Sequence, residues 1–288
     1  MSGRAAPALA ILASLVSVNA GAAWAKGLFP VVGSAGAVTL RVALSALILL
    51  VLVRPWRFAL RRADVPNVVI YGVMVGAMNL FIYRAFERIP LGIAVAIEVT
   101  GPLAVVILSS RHARDFLWVI CAGVGLWLLL LVPTGTAAAA AALDPAGVAY
   151  ALAAAFCWAM YIVFGKRVSM LNGGQAVSLG LLAACVFVVP FGALHARGDL
   201  LSPAVLAGGL AVALLSSALP YTLEMTALKR LPQRVFGILI SAGPAVAALA
   251  GFALLGERLT PLQWLAIGLV TLACAGAAAT ATATAGER

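Results

Sequence analysis

Acidic residues are scarce in this chain: nine Asp and Glu stand against nineteen Lys and Arg in 288 residues, and only 10% of the sequence is charged. Histidine is rarer still, and neither His112 nor His195 has a ligand or base partner at useful spacing. The four cysteines, Cys121, Cys157, Cys185 and Cys274, fall within apolar stretches without metal-like spacing and read as small packing residues rather than disulfides. No metal site and no cofactor is expected. There is no HExxH, no GxSxG and no pair of aspartates in facing segments, which argues against an intramembrane enzyme. No stretch is polar enough for a soluble domain, which excludes a large extramembrane enzyme or nucleic-acid module.

What is present is apolar sequence, at 64% of the chain with a mean hydropathy of +1.12. Runs of about 20 residues, the length that crosses about 30 Å of hydrocarbon, recur near 8 to 26, 34 to 53, 67 to 86, 90 to 110, 115 to 132, 146 to 165, 175 to 194, 203 to 226, 233 to 254 and 261 to 281. The expected fold is therefore an all-α membrane protein of ten transmembrane helices. The first 25 residues have the look of a signal peptide, but the repeat described below needs them as a retained first span.

The basic residues set the orientation. With the N-terminus in the cytoplasm, thirteen of the nineteen fall in inside loops and span ends, among them Arg54, Arg57, Arg61, Arg62, Arg111, Arg114, Lys166 and Arg167. Five, Lys26, Arg84, Arg88, Arg197 and Arg258, fall outside, and Arg41 lies within the second span. This bias places both termini in the cytoplasm and accounts for the net charge of +10 without a nucleic-acid partner.

The chain also repeats itself. "AFERIPLGIAVAIEVTGPLAVV" at 85 to 106 lies on "ALKRLPQRVFGILISAGPAVAA" at 227 to 248 without a gap, at an offset of 142. Ala85, Arg88, Pro90, Gly101 and Pro102 fall on Ala227, Arg230, Pro232, Gly243 and Pro244. Weaker matches pair Trp24 with Trp158, and "AVTL" at 37 to 40 with "AVSL" at 176 to 179. Two halves of five helices follow, at 8 to 132 and 146 to 281, joined by an alanine-rich linker at 133 to 145 and ended by a tail at 282 to 288. Five is odd, so the second half enters the membrane inverted, an arrangement associated with alternating access about a midplane site. Gly72 and Gly76, and the stripe Gly147, Ala151, Ala155 and Ala159, read as helix contacts without further function.

Glu98 stands in the middle of the fourth run. A carboxylate at that depth costs about 3 kcal/mol on insertion scales, so it faces the protein interior and is either protonated or partnered. Pro102 has no amide hydrogen for the carbonyl of Glu98, so one residue offers both a carboxyl and a freed backbone acceptor, beside Gly101. Two readings are open: Glu98 is a proton or ammonium site, or it pairs with Arg41 and fixes packing. Arg41 in turn either binds a substrate carboxylate or snorkels to the outer surface. Pro220 frees the carbonyl of Ser216 in a second broken helix, where Ser217, Tyr221 and Glu224 share a face; Pro244 marks a third break. Asn79, Tyr83, Tyr221 and Glu224 are candidate cavity residues, Glu224 being alternatively a solvated rim or a partner for Lys229. Trp24 and Trp158 read as interface anchors or packing.

At these residues the sequence resembles the EamA branch of the drug/metabolite transporter superfamily. "PLGIAVAIEVTGPLAVVILSSR", "SSALPYTLEMTALKRLP" and "LGERLTPLQWLAIGLV" carry the resemblance, which covers nearly the whole chain. It implies two EamA repeats in the bacterial inner membrane. It implies export of small amino acids of the threonine and homoserine type, in exchange for protons, with nucleobases, drugs or other metabolites as the alternative cargo. Glu98, Gly101, Pro102, Pro220, Tyr221 and Glu224 match motif positions. The implied partners are the amino acid, protons and the bilayer, with homodimerisation left open. One position departs: the group often has an acidic residue before the proline of the ninth span, where this chain has Gly243.

Overall fold

The computed structural model describes residues 2–57, 60–109, 115–130, 143–168, 173–228, 230–231 and 233–283, so most of the expected 133–145 linker and the end of the tail lie outside the described residues. Among the described residues every regular element is helical. In chain order they are α1 (Ser2–Val53), α2 (Val65–Phe86), α3 (Leu91–Glu98), α4 (Thr100–Ser109), α5 (Asp115–Leu130) and α6 (Pro145–Val168). There follow α7 (Gly173–His195), α8 (Pro203–Ala213), α9 (Leu219–Leu228), α10 (Gln233–Ile240), α11 (Gly243–Leu255) and α12 (Pro261–Ala283). Among the described residues six helical stretches are long and apolar enough to cross a membrane, and Leu91–Val105, Phe116–Leu130 and Pro203–Ala218 are shorter apolar helices.

The interruptions follow from the chemistry of proline and glycine. At 1.5 Å per residue the 52 residues of α1 would run about 78 Å, more than twice the hydrocarbon thickness. The helix turns at Gly33, which takes φ 73° and ψ 167°, a conformation open to glycine, three residues after Pro30 has removed a helical hydrogen bond. The N–H of Arg197 donates to the Val32 carbonyl at the turn, 3.3 Å. Pro220 is accommodated by one wide turn, a π-helix over Leu214–Ala218, between α8 and α9.

Two of the segments matched in the sequence share a local structure. Helices α3 and α10 each have eight residues and begin and end 142 positions apart. The turns before them match bond for bond: Arg88 and Ile89 donate to the Ala85 carbonyl, and Arg230 and Leu231 to that of Ala227, each at 2.9 Å.

Packing joins helices far apart in the chain. Apolar surface gains little by leaving lipid, so close approach of backbones is what holds membrane helices together. A Cβ at Gly72 would overlap the carbonyl of Gly180 on α7, one at Gly76 the ring of Phe187, and one at Gly92 the Ala248 backbone of α11. Gly72 and Gly76 serve helix contact, as expected from their spacing, and Gly92 adds a third such contact. Large side chains such as Phe116, Val186 and Leu194 are exposed on the outside of the bundle, the pattern of a lipid-facing surface.

Candidate functional site

A cavity of about 350 Å³ lies where the broken helices meet. Its walls come from α1, α2, the α3–α4 and α10–α11 breaks, α6 and α12. The two breaks form alike. Pro102 and Pro244 lack the N–H that would bond to the carbonyls of Glu98 and Ile240, α3 and α10 end at those residues, and each chain resumes as helix within three residues. Thr100 Oγ1 donates to the Ile97 carbonyl at 2.6 Å in the first break, and Ser241 Oγ to that of Gly237 at 2.8 Å in the second.

Four of the expected residues, Glu98, Arg41, Asn79 and Pro102, line this cavity, as does Pro244 at the other break. Glu98 is only 7% exposed. Among the described residues no hydrogen bond or ion pair engages its carboxyl, and the charge that acts on it is that of Arg41. Arg41 therefore does not form the direct structural pair that one sequence reading offered, nor does it snorkel: its guanidinium lies over the ring of Tyr83, 5.5 Å from the centroid, and Nη1 is 3.5 Å from the Tyr83 hydroxyl. Tyr83 itself is fully buried behind Arg41, between Phe29 and Phe86, so it positions the cation instead of lining the cavity.

Gly101 faces away from the cavity, toward α6. A Cβ there would overlap the Ala155 carbonyl, which is backbone and cannot give. Gly101→Ala is expected to destabilise the folded protein by about 1 to 3 kcal/mol, the usual range for overpacking, measured as a lower midpoint of thermal unfolding in detergent; an unchanged midpoint would mean that α4 and α6 are not in contact.

The other polar break serves α1. Ser14 Oγ donates to Glu224 Oε1 at 2.6 Å, Ser17 Oγ to the Leu215 carbonyl at 2.7 Å, and Ser45 Oγ to Ser217 Oγ at 2.8 Å. Neither Glu224 nor Pro220 lines the cavity, and the side chain of Tyr221 lies outside the described residues. Residues that sequence reasoning did not assign to the site are Asn19, Met78, Ser241, Cys274 and Trp158. The sequence offers Trp24 and Trp158 alike as interface anchors or packing residues; Trp24 is 57% exposed, whereas Trp158 lines the cavity. A faint signal existed for Ser241, which lies beside Ile240, the repeat position of Glu98. Gly243 also lines the cavity, with open space beside it.

At the N-terminus of α3, polar contacts bind three segments together. Lys26 Nζ donates to Glu257 Oε1 at 2.6 Å and approaches the Ile89 carbonyl at 3.4 Å. The N–H of Leu91 donates to Glu257 Oε2 at 2.8 Å, so Glu257 caps the helix that carries Glu98. Local chemistry delivers that carboxylate. Gly256 ends α11 in the left-handed conformation, φ 67°, Gly251 leaves the space the carboxylate occupies, and Thr260 and Gln263 form a reciprocal cap at the start of α12. Nearby, Ser34 Oγ donates to Glu87 Oε2 at 2.6 Å and Arg88 Nη1 to Asp144 Oδ2 at 2.8 Å. The Arg88 hydrogen bond, with a second from the Ala146 N–H, holds the Asp144 carboxyl below its ordinary range, so this contact persists until pH falls through the lowered value.

Comparison with known proteins gives consistent matches. A profile of the EamA-like transporter family matches residues 145–279. The threonine/homoserine exporter RhtA of Escherichia coli (strain K12) is 46% identical over 274 residues, which cover 95% of this chain and 92% of the relative. RhtA of Salmonella typhimurium (strain LT2) is 45% identical with the same coverage. The uncharacterized inner membrane transporter YedA of Escherichia coli (strain K12) is 28% identical over 193 residues, 65% of this chain and 61% of the relative. A solved crystal structure, 18% identical, covers 98% of both chains with a TM-score of 0.61, and shares the fold.

Proposed function

Because the chain belongs to the EamA-like transporter family, we propose that it is a multi-pass carrier of the inner membrane that exports small amino acids of the threonine and homoserine type. The observation that carries this reading is a cavity holding one carboxyl and one guanidinium, neither in an ion pair among the described residues. A zwitterionic amino acid supplies both missing partners: its ammonium meets Glu98, and its carboxylate meets the fork of donors on Arg41. The cavity volume is within the range of small-molecule sites.

In this reading the chain crosses ten times. The two arms of α1 count as two spans; α3 with α4, α8 with α9 and α10 with α11 each make one; the remaining helices make the other five, with both termini inside. The two inverted halves alternate access to the cavity, and Glu98 exchanges its proton for the ammonium of the substrate, which gives proton antiport. Lys26, Glu257 and the α3 N-terminus then close the outer side.

Counterflow of labelled threonine and homoserine in proteoliposomes with an imposed pH gradient tests the proposal. Uptake driven by the gradient is expected. If both amino acids stay outside while nucleobases or cationic dyes exchange, the carrier belongs to another substrate class. In the same assay Arg41→Ala is expected to weaken competition by threonine about 10- to 100-fold, the loss of a charge-assisted hydrogen bond or two; equal competition in both proteins would remove Arg41 from the carboxylate site.

A further inference from the structure

Asn19, Asn79 and Ser241 of the cavity each donate one hydrogen to their own helix, which for the serine is its only side-chain hydrogen and for each asparagine one of two. Asn19 Nδ2 donates to the Leu15 carbonyl, Asn79 Nδ2 to that of Val75 and Ser241 Oγ to that of Gly237, each at 2.8 Å. A carbonyl only accepts, so each bond fixes orientation: the amide nitrogen turns to its own helix and the amide oxygen turns away. No described hydrogen bond reaches Asn19 Oδ1 or Asn79 Oδ1. Neither is among the described polar atoms sealed from solvent without a partner, which are Trp118 Nε1, Ser178 Oγ, Ser216 Oγ and Thr271 Oγ1. These oxygens are therefore open to the cavity that both residues line.

Position separates the three. Asn79 is one turn from Tyr83, on the side of the cavity held by Arg41. Asn19 stands on α1 and Ser241 at the α10–α11 break, and α1 packs against both α10 and α11. Their neighbours on the wall are apolar: Leu15, Val18, Ile240 and Ala278. Asn19 Oδ1 and the lone pairs of Ser241 Oγ thus offer acceptors to a largely apolar cavity. An apolar ligand group placed against them leaves both acceptors desolvated and unpaired, whereas a hydroxyl donates to one of them.

We propose that Asn19 and Ser241 are specificity-determining residues that accept a hydrogen bond from a side-chain hydroxyl of the substrate, so that the cavity selects hydroxyl-bearing amino acids over their apolar isosteres. The inference rests on the amino-acid reading of the same cavity. Two acceptors on adjoining walls serve a hydroxyl on the β-carbon, as in threonine, and one on the γ-carbon, as in homoserine.

The test is counterflow with the purified full chain and two isosteric pairs, threonine against valine and homoserine against norvaline. The wild type is expected to prefer the hydroxyl member of each pair. In Asn19→Leu/Ser241→Ala both preferences are expected to fall at least about tenfold, with valine and norvaline exchange retained, which also reports a folded carrier. Should the double variant not fold, Ser241→Ala alone is expected to lower at least one preference about fivefold, and Ser241→Thr, which keeps a hydroxyl, to restore it. Preferences equal to wild type in a transporting variant overturn the assignment and leave amino-acid export intact. A wild type that moves none of the four amino acids overturns the underlying reading instead.

Discussion

Replacing Glu98 by glutamine is expected to cut homoserine export by at least about tenfold and to flatten what remains of its dependence on pH. Glutamine keeps the shape of the side chain and removes both the charge and the exchangeable proton. The size of the effect follows from losing a hydrogen bond to a charged ligand, about 1.5 to 3 kcal/mol, or about 10- to 150-fold in transport efficiency. Compensation from a neighbour is not expected, because no described hydrogen bond or ion pair reaches the Glu98 carboxyl, and Gly243 at the matching break brings no side chain to the cavity. The measurement is export from overexpressing cells and gradient-driven counterflow across a range of pH. A variant with the wild-type rate and the wild-type pH profile would end the role assigned to Glu98. Retained binding of threonine with lost proton coupling would assign it the proton and leave the ammonium to another group.

Glu257→Gln is expected to open the outer side of the cavity. The wild-type carboxylate joins Lys26 and the Leu91 N–H, and its side chain and that of Lys26 are 14% and 23% exposed. Removing the charge leaves an ammonium half-buried and weakens the cap on α3. A loss of about 2 kcal/mol, midway in the range for hydrogen bonds to charged groups, shifts a closed-to-open ratio about thirtyfold. Cys274 lines the cavity and reports on its access. With Cys121, Cys157 and Cys185 replaced, a membrane-impermeant thiol reagent added outside is expected to label Cys274 many times faster in the variant, while net export falls. Labelling rates equal in the two proteins would show that Glu257 serves α3 capping alone.

Much of this was legible in the residues. The spacing of Gly101 and Pro102 against Gly243 and Pro244 located both helix breaks to within about three residues, because the missing proline hydrogen bond is a covalent fact independent of packing. Glu98 was singled out by the cost of charge in an apolar run, which also needs no fold. The superfamily stretch from Gly256 to Thr260 was recognisable as a motif, yet its physical role emerged from three-dimensional contacts. The glycine supplies a left-handed turn, the glutamate reaches 166 residues back to Leu91, and the threonine caps the next helix.

Other assignments depended on which way a helix face turns, and periodicity in a nearly all-apolar chain does not encode that. Glu224 shares its sequence context with Pro220 and Tyr221, but the rotation of α9 turns its carboxyl to Ser14. Trp24 and Trp158 are equivalent in the repeat and face opposite environments. Asn19 carries no sequence signal of function and Ser241 only its place beside the repeat position of Glu98, since a buried amide or hydroxyl bonded to its own helix is common.

The sequence by itself determined an all-helical membrane chain, an internal repeat, proline breaks at fixed positions and a single acid deep in the fourth apolar run, because these follow from composition, covalent geometry and the price of charge in lipid. Tertiary structure alone decided that Arg41 rests on Tyr83 and faces the same cavity as Glu98, and that Lys26 and Glu257 join over the end of α3. Those are contacts between segments far apart in the chain, set by the rotation and crossing of packed helices, and no local pattern of residues contains them.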